Sequence, residues 1–299
     1  MLSNSTVCEI FESAVGDRPD SIERWLTDNH VVYRLTHRRQ KFYLKFALAE
    51  HSGELEFECR AIRFLECCAL PCPLVVATSF RAKSKICDEY DWMLVQHSGD
   101  SLALYVKENC QLLFEAGLLL ARYHRALRST SDCKLALLPK PIFNLKSRIE
   151  RWLVRAERQH DSGLLKKETV DHLYTRLSDF HPVGGLVFCH GEYSIPHVMV
   201  HRGRVTCAID WAYLEMLPPA FDLCQFENHC SWLGVNFEVF LSGYGIQMED
   251  YVRDPNRATF RLVHALRQLD PERKTFRENV GLVESLLLEN PGVGSVTAA

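Results

Sequence analysis

The stretch Gly185–Trp211, GLVFCHGEYSIPHVMVHRGRVTCAIDW, contains two apolar runs, LVFC and VTCAI, each ending in polar residues: His190-Gly191-Glu192 and Asp210-Trp211. Short apolar runs bounded by turn formers read as buried strands. Between them VMV makes another short strand, and HRGR, with Gly203, is the turn of a hairpin. Glu192 and Asp210 lie eighteen positions apart, each just past a strand end, where both can face one cleft. Taken singly, each is also an ordinary turn or cap carboxylate.

Working outward, residues 1–30 read as helical through Ile10, Phe11, Ala14, Ile22, Trp25 and Leu26. VVYRLT (31–36) and KFYLKFA (41–47) are β-like runs joined by the charged turn HRRQ. GELEFECRAIRFLE (53–66) places Leu55, Cys59, Ile62 and Leu65 on one helical stripe, with Glu58 inside it. PCPLVVAT and WMLVQ (92–96) are further strands, ending near Ser98-Gly99-Asp100. From Ser101 the pattern is mainly helical: QLLFEAGLLLARYHRAL (111–127), FNLKSRIERWLVRAERQ, KKETVDHLYTRLSDF and, after the hairpin, FENHCSWLGVNFEVFLSGYG through VESLLLEN. The expected architecture is α+β and two-lobed: a small β-rich lobe over residues 1–97 and a larger, mainly helical lobe over 98–299.

At 299 residues the chain is long enough for two lobes. Its net charge of −3 gives no basic stripe for nucleic acid. The N-terminus lacks the basic flank and apolar run of a signal peptide, and no apolar run approaches the length that spans a bilayer. Twelve cysteines without a CxxC pair, several inside apolar runs, point to small core hydrophobes and a reduced, cytoplasmic protein. The expected partner is a small-molecule substrate, with no nucleic acid and no membrane.

A carboxylate inside an apolar stripe requires either solvent or a buried cation. Lys45 in FYLKF offers one, and a strand lysine paired with a helix glutamate is one way to fix an ammonium against nucleotide phosphates. Read alone, the two are equally an edge-strand lysine and a solvated glutamate. Phosphoryl transfer further requires a carboxylate near the attacking hydroxyl and oxygen ligands that hold Mg²⁺, and Glu192 and Asp210 match these needs.

HGEYSIPHVMVHRGRVTCAIDWAYLEMLPPAFDL resembles the catalytic segment of the aminoglycoside phosphotransferase family, whose pattern is HGD, four residues, Asn, a hairpin, IDW, then Pro-x-x-Asp-Leu. VYRL, YLKF, ELEFECRAIRFL and GLLLARYHRAL resemble its upstream strands and helices, so the likeness covers roughly residues 20–230. It implies a two-lobed, protein-kinase-like fold and transfer of a phosphoryl group from ATP to a hydroxyl of an aminoglycoside-like antibiotic or a metabolite. Lys45 would then meet the nucleotide phosphates and Glu58 would orient it. Gln96 and His97 would lie beside adenine, Glu192 at the catalytic-base position, Asp210 at the main Mg²⁺ site and His197 at the second. His190 and Asp222 would brace the loop.

Three departures separate this chain from the family pattern. Glu192 replaces Asp, adding a methylene of about 1.5 Å. His197 replaces Asn, and imidazole suits Mn²⁺ or Zn²⁺ better than Mg²⁺. The stretch LTDNHVV between Trp25 and Tyr33 has no glycine for close approach to phosphate. The alternative to an active kinase is therefore a catalytically degenerate, kinase-like binding module. A metal-dependent hydrolase built on His190, Glu192 and His197 fits less well, because Pro196 breaks the helix that i,i+4 ligands need. A cationic acceptor would need an acidic pocket, for which Glu215, Glu227 and Asp222 are the candidates. His124, on an apolar stripe, reads as a hydrogen-bonded core residue, and His229 lacks companions for a metal site.

Overall fold

The computed structural model describes residues 3–26, 30–47, 53–80, 90–97, 99–128, 144–269 and 276–288. The first helix, α1 (Asn4–Val15), starts at Ser3, whose hydroxyl accepts from the Thr6 N–H, and stops at Gly16, which takes the left-handed conformation. The helical reading of residues 1–30 holds for Ile10, Phe11 and Ala14 but fails for Ile22, Trp25 and Leu26. Beyond that cap Ser21–Leu26 is a strand, β1, paired antiparallel with β2 (His30–His37) in the register Ser21↔Thr36 to Leu26↔Val31. Ile22 and Trp25 suggested a helix, but edge pairing decides, and Arg34 lies 5.1 Å from the centre of the Trp25 ring.

With β3 (Gln40–Ala47), β4 (Leu74–Thr78) and β5 (Trp92–Gln96), these strands form an antiparallel sheet of order β1-β2-β3-β5-β4. Strand alternation separates its two faces. Tyr33, Leu35, Phe42, Leu44, Phe46, Trp92 and Leu94 pack with Val7, Ile10 and Phe11 of α1. Met93 and Val95 join the core of the second helix, α2 (Glu54–Cys67), through Leu55, Ile62 and Leu65. Lys45, between Leu44 and Phe46, faces away from α1 for the same reason.

The chain leaves the sheet at His97 and passes Gly99, whose φ of +98° would bring a Cβ within 2.1 Å of the Val200 carbonyl oxygen. It then forms β6 (Asp100–Ser101) and α3 (Gln111–Arg128). Next come α4 (Leu145–Asp161), α5 (Lys167–Leu177), β7 (Val187–Cys189), β8 (Val198–His201) and β9 (Arg204–Ala208). The hairpin read from the sequence is β8–β9, and β6 adds to it at β8. The run LVFC does not join that hairpin: β7 pairs with β10 (Glu215–Leu217). Five further helices follow: α6 (Ala220–Leu233), α7 (Phe237–Tyr244), α8 (Met248–Val252), α9 (Arg257–Arg267) and α10 (Phe276–Leu288). The fold is thus a mixed α/β one, with an antiparallel-sheet N-terminal lobe and a helical C-terminal region, as the sequence reading expects. Among the described residues no helix is long and apolar enough to cross a membrane.

Candidate active site

A cleft of about 1340 Å³ lies between the sheet and the helical region. Its sheet wall includes Val32, Tyr43, Lys45, Val95 and His97, and its floor includes Glu192, His197 and Asp210. Gln96 sits beside this wall in β5, opposite Phe42 and Leu74, and does not line the cleft. Residues 27–29 of the glycine-free stretch lie outside the described residues.

Lys45 and Glu58 meet. The ammonium donates to both Glu58 oxygens, at 2.8 and 3.1 Å, and to Asp210 Oδ1. Glu58 is 2% exposed and Lys45 8%, so each charge needs the other. Burial raises the Glu58 pKa, and the charge of Asp210 adds to this against Lys45. Burial alone would lower the Lys45 pKa, yet Asp210 and Glu58 together raise it above the ordinary value. For Asp210, Lys45 and His197 overcome burial and hold the carboxyl well below its usual range.

Asp210 has φ +64°, a left-handed conformation costing about 1–2 kcal/mol for a residue with a Cβ. Trp211 holds the turn: it is fully buried, and its indole N–H donates to Ala208 O at 2.9 Å. It also meets Tyr123 edge-on, with ring centres 4.9 Å apart.

The His190–Glu192 loop hangs on Asp222, which is completely buried in the first turn of α6. Its two oxygens accept from the His190 N–H at 2.7 Å and the Gly191 N–H at 2.9 Å, and Oδ2 lies 3.1 Å from His124 Nε2. Burial opposes ionisation here, but these donors keep the Asp222 pKa below the ordinary value. His190 Nε2 donates to Ile209 O at 2.8 Å, and Nδ1 accepts from the Glu192 N–H at 3.2 Å, which ties the two motif ends together. Burial holds this imidazole neutral, with a pKa of about 4. Gly191, at φ +84°, lies so close to Tyr213 that a Cβ would sit 2.1 Å from its carbonyl oxygen.

His197 Nδ1 is 2.8 Å from the Glu192 carbonyl oxygen; a carbonyl only accepts, so this nitrogen carries the proton. Nε2 then faces Asp210 Oδ2 at 3.4 Å as a second electron-pair donor. Two such donors directed at one point, with a backbone carbonyl fixing the imidazole tautomer, fit a divalent cation. His97 stacks on Tyr43 with ring centres 4.2 Å apart and planes 9° from parallel, and burial with Lys45 pushes its pKa down to about 4.

Two features escaped the sequence reading. The Glu192 carboxylate is ion-paired with Arg267, at the C-terminus of α9. Helix α4 also presents Arg148, Arg151, Arg155 and Arg158 to the cleft. The arginine spacing in LKSRIERWLVRAER was a visible signal; the long-range approach of Arg267 was not. The proposed acidic pocket does not form: Glu215 holds Arg148, Glu227 holds Arg257 and Arg261, Asp222 holds the loop, and none of the three lines the cleft. His124 is hydrogen-bonded to Asp222 and to Tyr244 Oη at 2.8 Å, and His229 stands edge-on to Trp232 at 4.7 Å.

A family model described as "Phosphotransferase enzyme family" matches residues 25–272. None of the curated proteins compared matches the sequence. Among solved structures, the GDP complex of wild-type aminoglycoside 2′-phosphotransferase-IIIa is similar at 16% identity and TM-score 0.69, covering 97% of this chain and 100% of that one. A streptomycin–ATP ternary complex of APH(2″)-IIa gives 15% identity, TM-score 0.62 and 97% coverage of both chains. A thermostable mutant of APH(4)-Ia, with AMP-PNP and hygromycin B, gives 14% identity and TM-score 0.67, covering 97% of this chain and 100% of that one. At these identities the likeness is one of fold.

Proposed function

Because the chain belongs to the phosphotransferase enzyme family, whose model spans most of its length, we propose that it transfers the terminal phosphoryl group of ATP to a hydroxyl of a small molecule. The single observation that carries this reading is the convergence of Lys45, Glu58, Asp210, His197 and Glu192 at one cleft. Lys45 is set to neutralise phosphate oxygens, with Glu58 fixing its position from behind. His97 and Tyr43 offer a flat, uncharged wall for the base. Asp210 and His197 would hold Mg²⁺, or Mn²⁺, which the imidazole nitrogen favours. Such an ion supplies charge neutralisation at the phosphates.

In the transfer step the acceptor oxygen bonds to the terminal phosphorus as the bond to the bridging oxygen of ADP breaks. Glu192 takes the hydroxyl proton. Its side chain starts from a loop whose backbone N–H groups Asp222 and His190 anchor, which fixes the point from which the carboxylate reaches. We place the protein in the cytoplasm: its buried thiols Cys189 and Cys207 sit in the core with pKa values raised by burial, as inert small hydrophobes do.

The test is nucleotide binding and turnover in wild type and Glu192→Gln. Loss of a general base costs about 10²–10⁴-fold, so the variant should bind AMP-PNP with Mg²⁺ or Mn²⁺ as wild type does and turn over at least about 100-fold more slowly. Equal turnover in the two proteins would remove Glu192 from the reaction. Nucleotide binding without transfer in wild type would favour the binding module.

A further inference from the structure

The helical wall of the cleft carries a column of arginines, and we infer that the acceptor is an anionic alcohol, bearing a carboxylate or a phosphate ester beside the hydroxyl that is phosphorylated. This rests on the phosphotransferase reading of the same cleft. Along α4, Arg148, Arg151, Arg155 and Arg158 follow one another at spacings of three, four and three, which keeps them on one face of the helix, and all four line the cleft.

The column starts at the chemistry. The Arg148 guanidinium lies 5.2 Å from the centre of the Tyr213 ring and that of Arg267 lies 5.5 Å from the same ring, while Arg267 is ion-paired with Glu192. From there the stripe runs outward to Arg155 and Arg158, which are exposed and make no ion pair with any described residue. Like charges repeated on one helix face destabilise the helix unless something negative sits against them.

Glu215 holds Arg148, but the carboxylates of the cleft leave Arg155 and Arg158 unbalanced. Glu58 and Asp210 are held by Lys45, Asp100 by Lys41 and Glu192 by Arg267, which leaves Glu150. The acids a polycationic acceptor would need are spent inside the fold. Guanidinium groups bind carboxylate and phosphate through paired hydrogen bonds, whereas ammonium groups are repelled. An anionic acceptor also competes with Glu192 for Arg267, so its arrival releases the carboxylate that takes the proton.

The experiment is calorimetry on the full chain loaded with AMP-PNP and Mg²⁺, titrated with glycerol, glycerate, glycerol 3-phosphate, choline and kanamycin, with phosphorylated product measured in parallel using ATP. Glycerate or glycerol 3-phosphate should bind roughly tenfold or more tightly than glycerol and choline. Whichever of the two binds more tightly tells carboxylate from phosphate recognition. Arg155→Ser with Arg158→Ser should erase that margin, and Lys at both positions should restore most of it. The inference is overturned if kanamycin, choline or glycerol binds as tightly as the anions, or if no anion binds at millimolar concentration. It is equally overturned if the double Ser variant leaves the margin intact, or weakens AMP-PNP binding as much as anion binding. Transfer to neutral or cationic alcohols without anionic preference overturns the inference alone. Failure of AMP-PNP to bind overturns the phosphotransferase reading beneath it.

Discussion

Lys45 and Glu58 pair in a part of the fold that water barely reaches, and each of these two charges depends on the other, with Asp210 as the ammonium's second partner. Removing the ammonium leaves Glu58 buried and uncompensated, a change that typically costs about 3–5 kcal/mol. Lys45→Met should therefore lower the midpoint of urea unfolding, and adding Glu58→Gln should recover part of the loss. A double-mutant cycle should show coupling above about 1 kcal/mol, and strict additivity would mean that the pair does not interact in solution. Asp210 differs, because its side chain is 37% exposed to the cleft. Asp210→Asn should leave the fold intact but reduce phosphoryl transfer more than about 100-fold, since a metal-held charge is worth several kcal/mol in the transition state. Transfer by the variant at near wild-type rate would exclude Asp210 as the metal ligand.

At the level of elements, the site depends on how closely backbones approach one another. Helices α3 and α7 touch through reciprocal glycines: a Cβ on Gly117 would lie 2.0 Å from Phe240 O, and one on Gly243 would lie 2.0 Å from Phe114 O. Both carbonyl oxygens are backbone atoms, so no side-chain rotation relieves the clash. Gly117→Ala should push the helices apart and destabilise the protein by about 1–3 kcal/mol, the usual scale of overpacking. Chemical denaturation reads this directly, and an unchanged midpoint would show that the pair is not packed this tightly. Tyr193, next to Glu192, donates to Ala116 O at 2.7 Å, so the displacement should reach the His190–Glu192 loop.

For the whole molecule, pH reports on the buried histidines. Burial holds His97 and His190 down to about 4 and His264 to about 3. Below pH 6.5 the unfolded chain takes up protons at these sites that the folded chain refuses. Stability is therefore fully present above about pH 7 and falls as pH drops toward 4, by up to about 1.4 kcal/mol per pH unit for each histidine. Asp222, with its depressed pKa, adds a further loss below its unfolded value. Urea midpoints at about pH 7.5 and about pH 5 should differ clearly, and a flat profile would mean that these rings are accessible to protons in the native state.

The amino-acid sequence determined what local pattern can encode. Alternation in KFYLKFA and WMLVQ, the stripe around Glu58, and the strand-ending clusters at Glu192 and Asp210 are short-range signals, and they identified the sheet, α2 and the carboxylates of the cleft. Where local signal was ambiguous the reading failed. Ile22 and Trp25 satisfy a helical period and a strand equally, and only pairing with β2 makes that segment β1. Likewise, LVFC announces a strand without naming its partner, and β10 rather than the hairpin supplies it. Arg267 lies 75 positions from Glu192, and no periodicity links two such residues; their ion pair exists because α9 packs beside the loop that Asp222 anchors. Glu215, Glu227 and Asp222 were candidates for an acidic pocket whose convergence no sequence pattern shows, and in the fold each carboxylate takes a partner instead. Composition gave the charges, and tertiary structure decided which were neutralised within the fold and which were left facing the cleft.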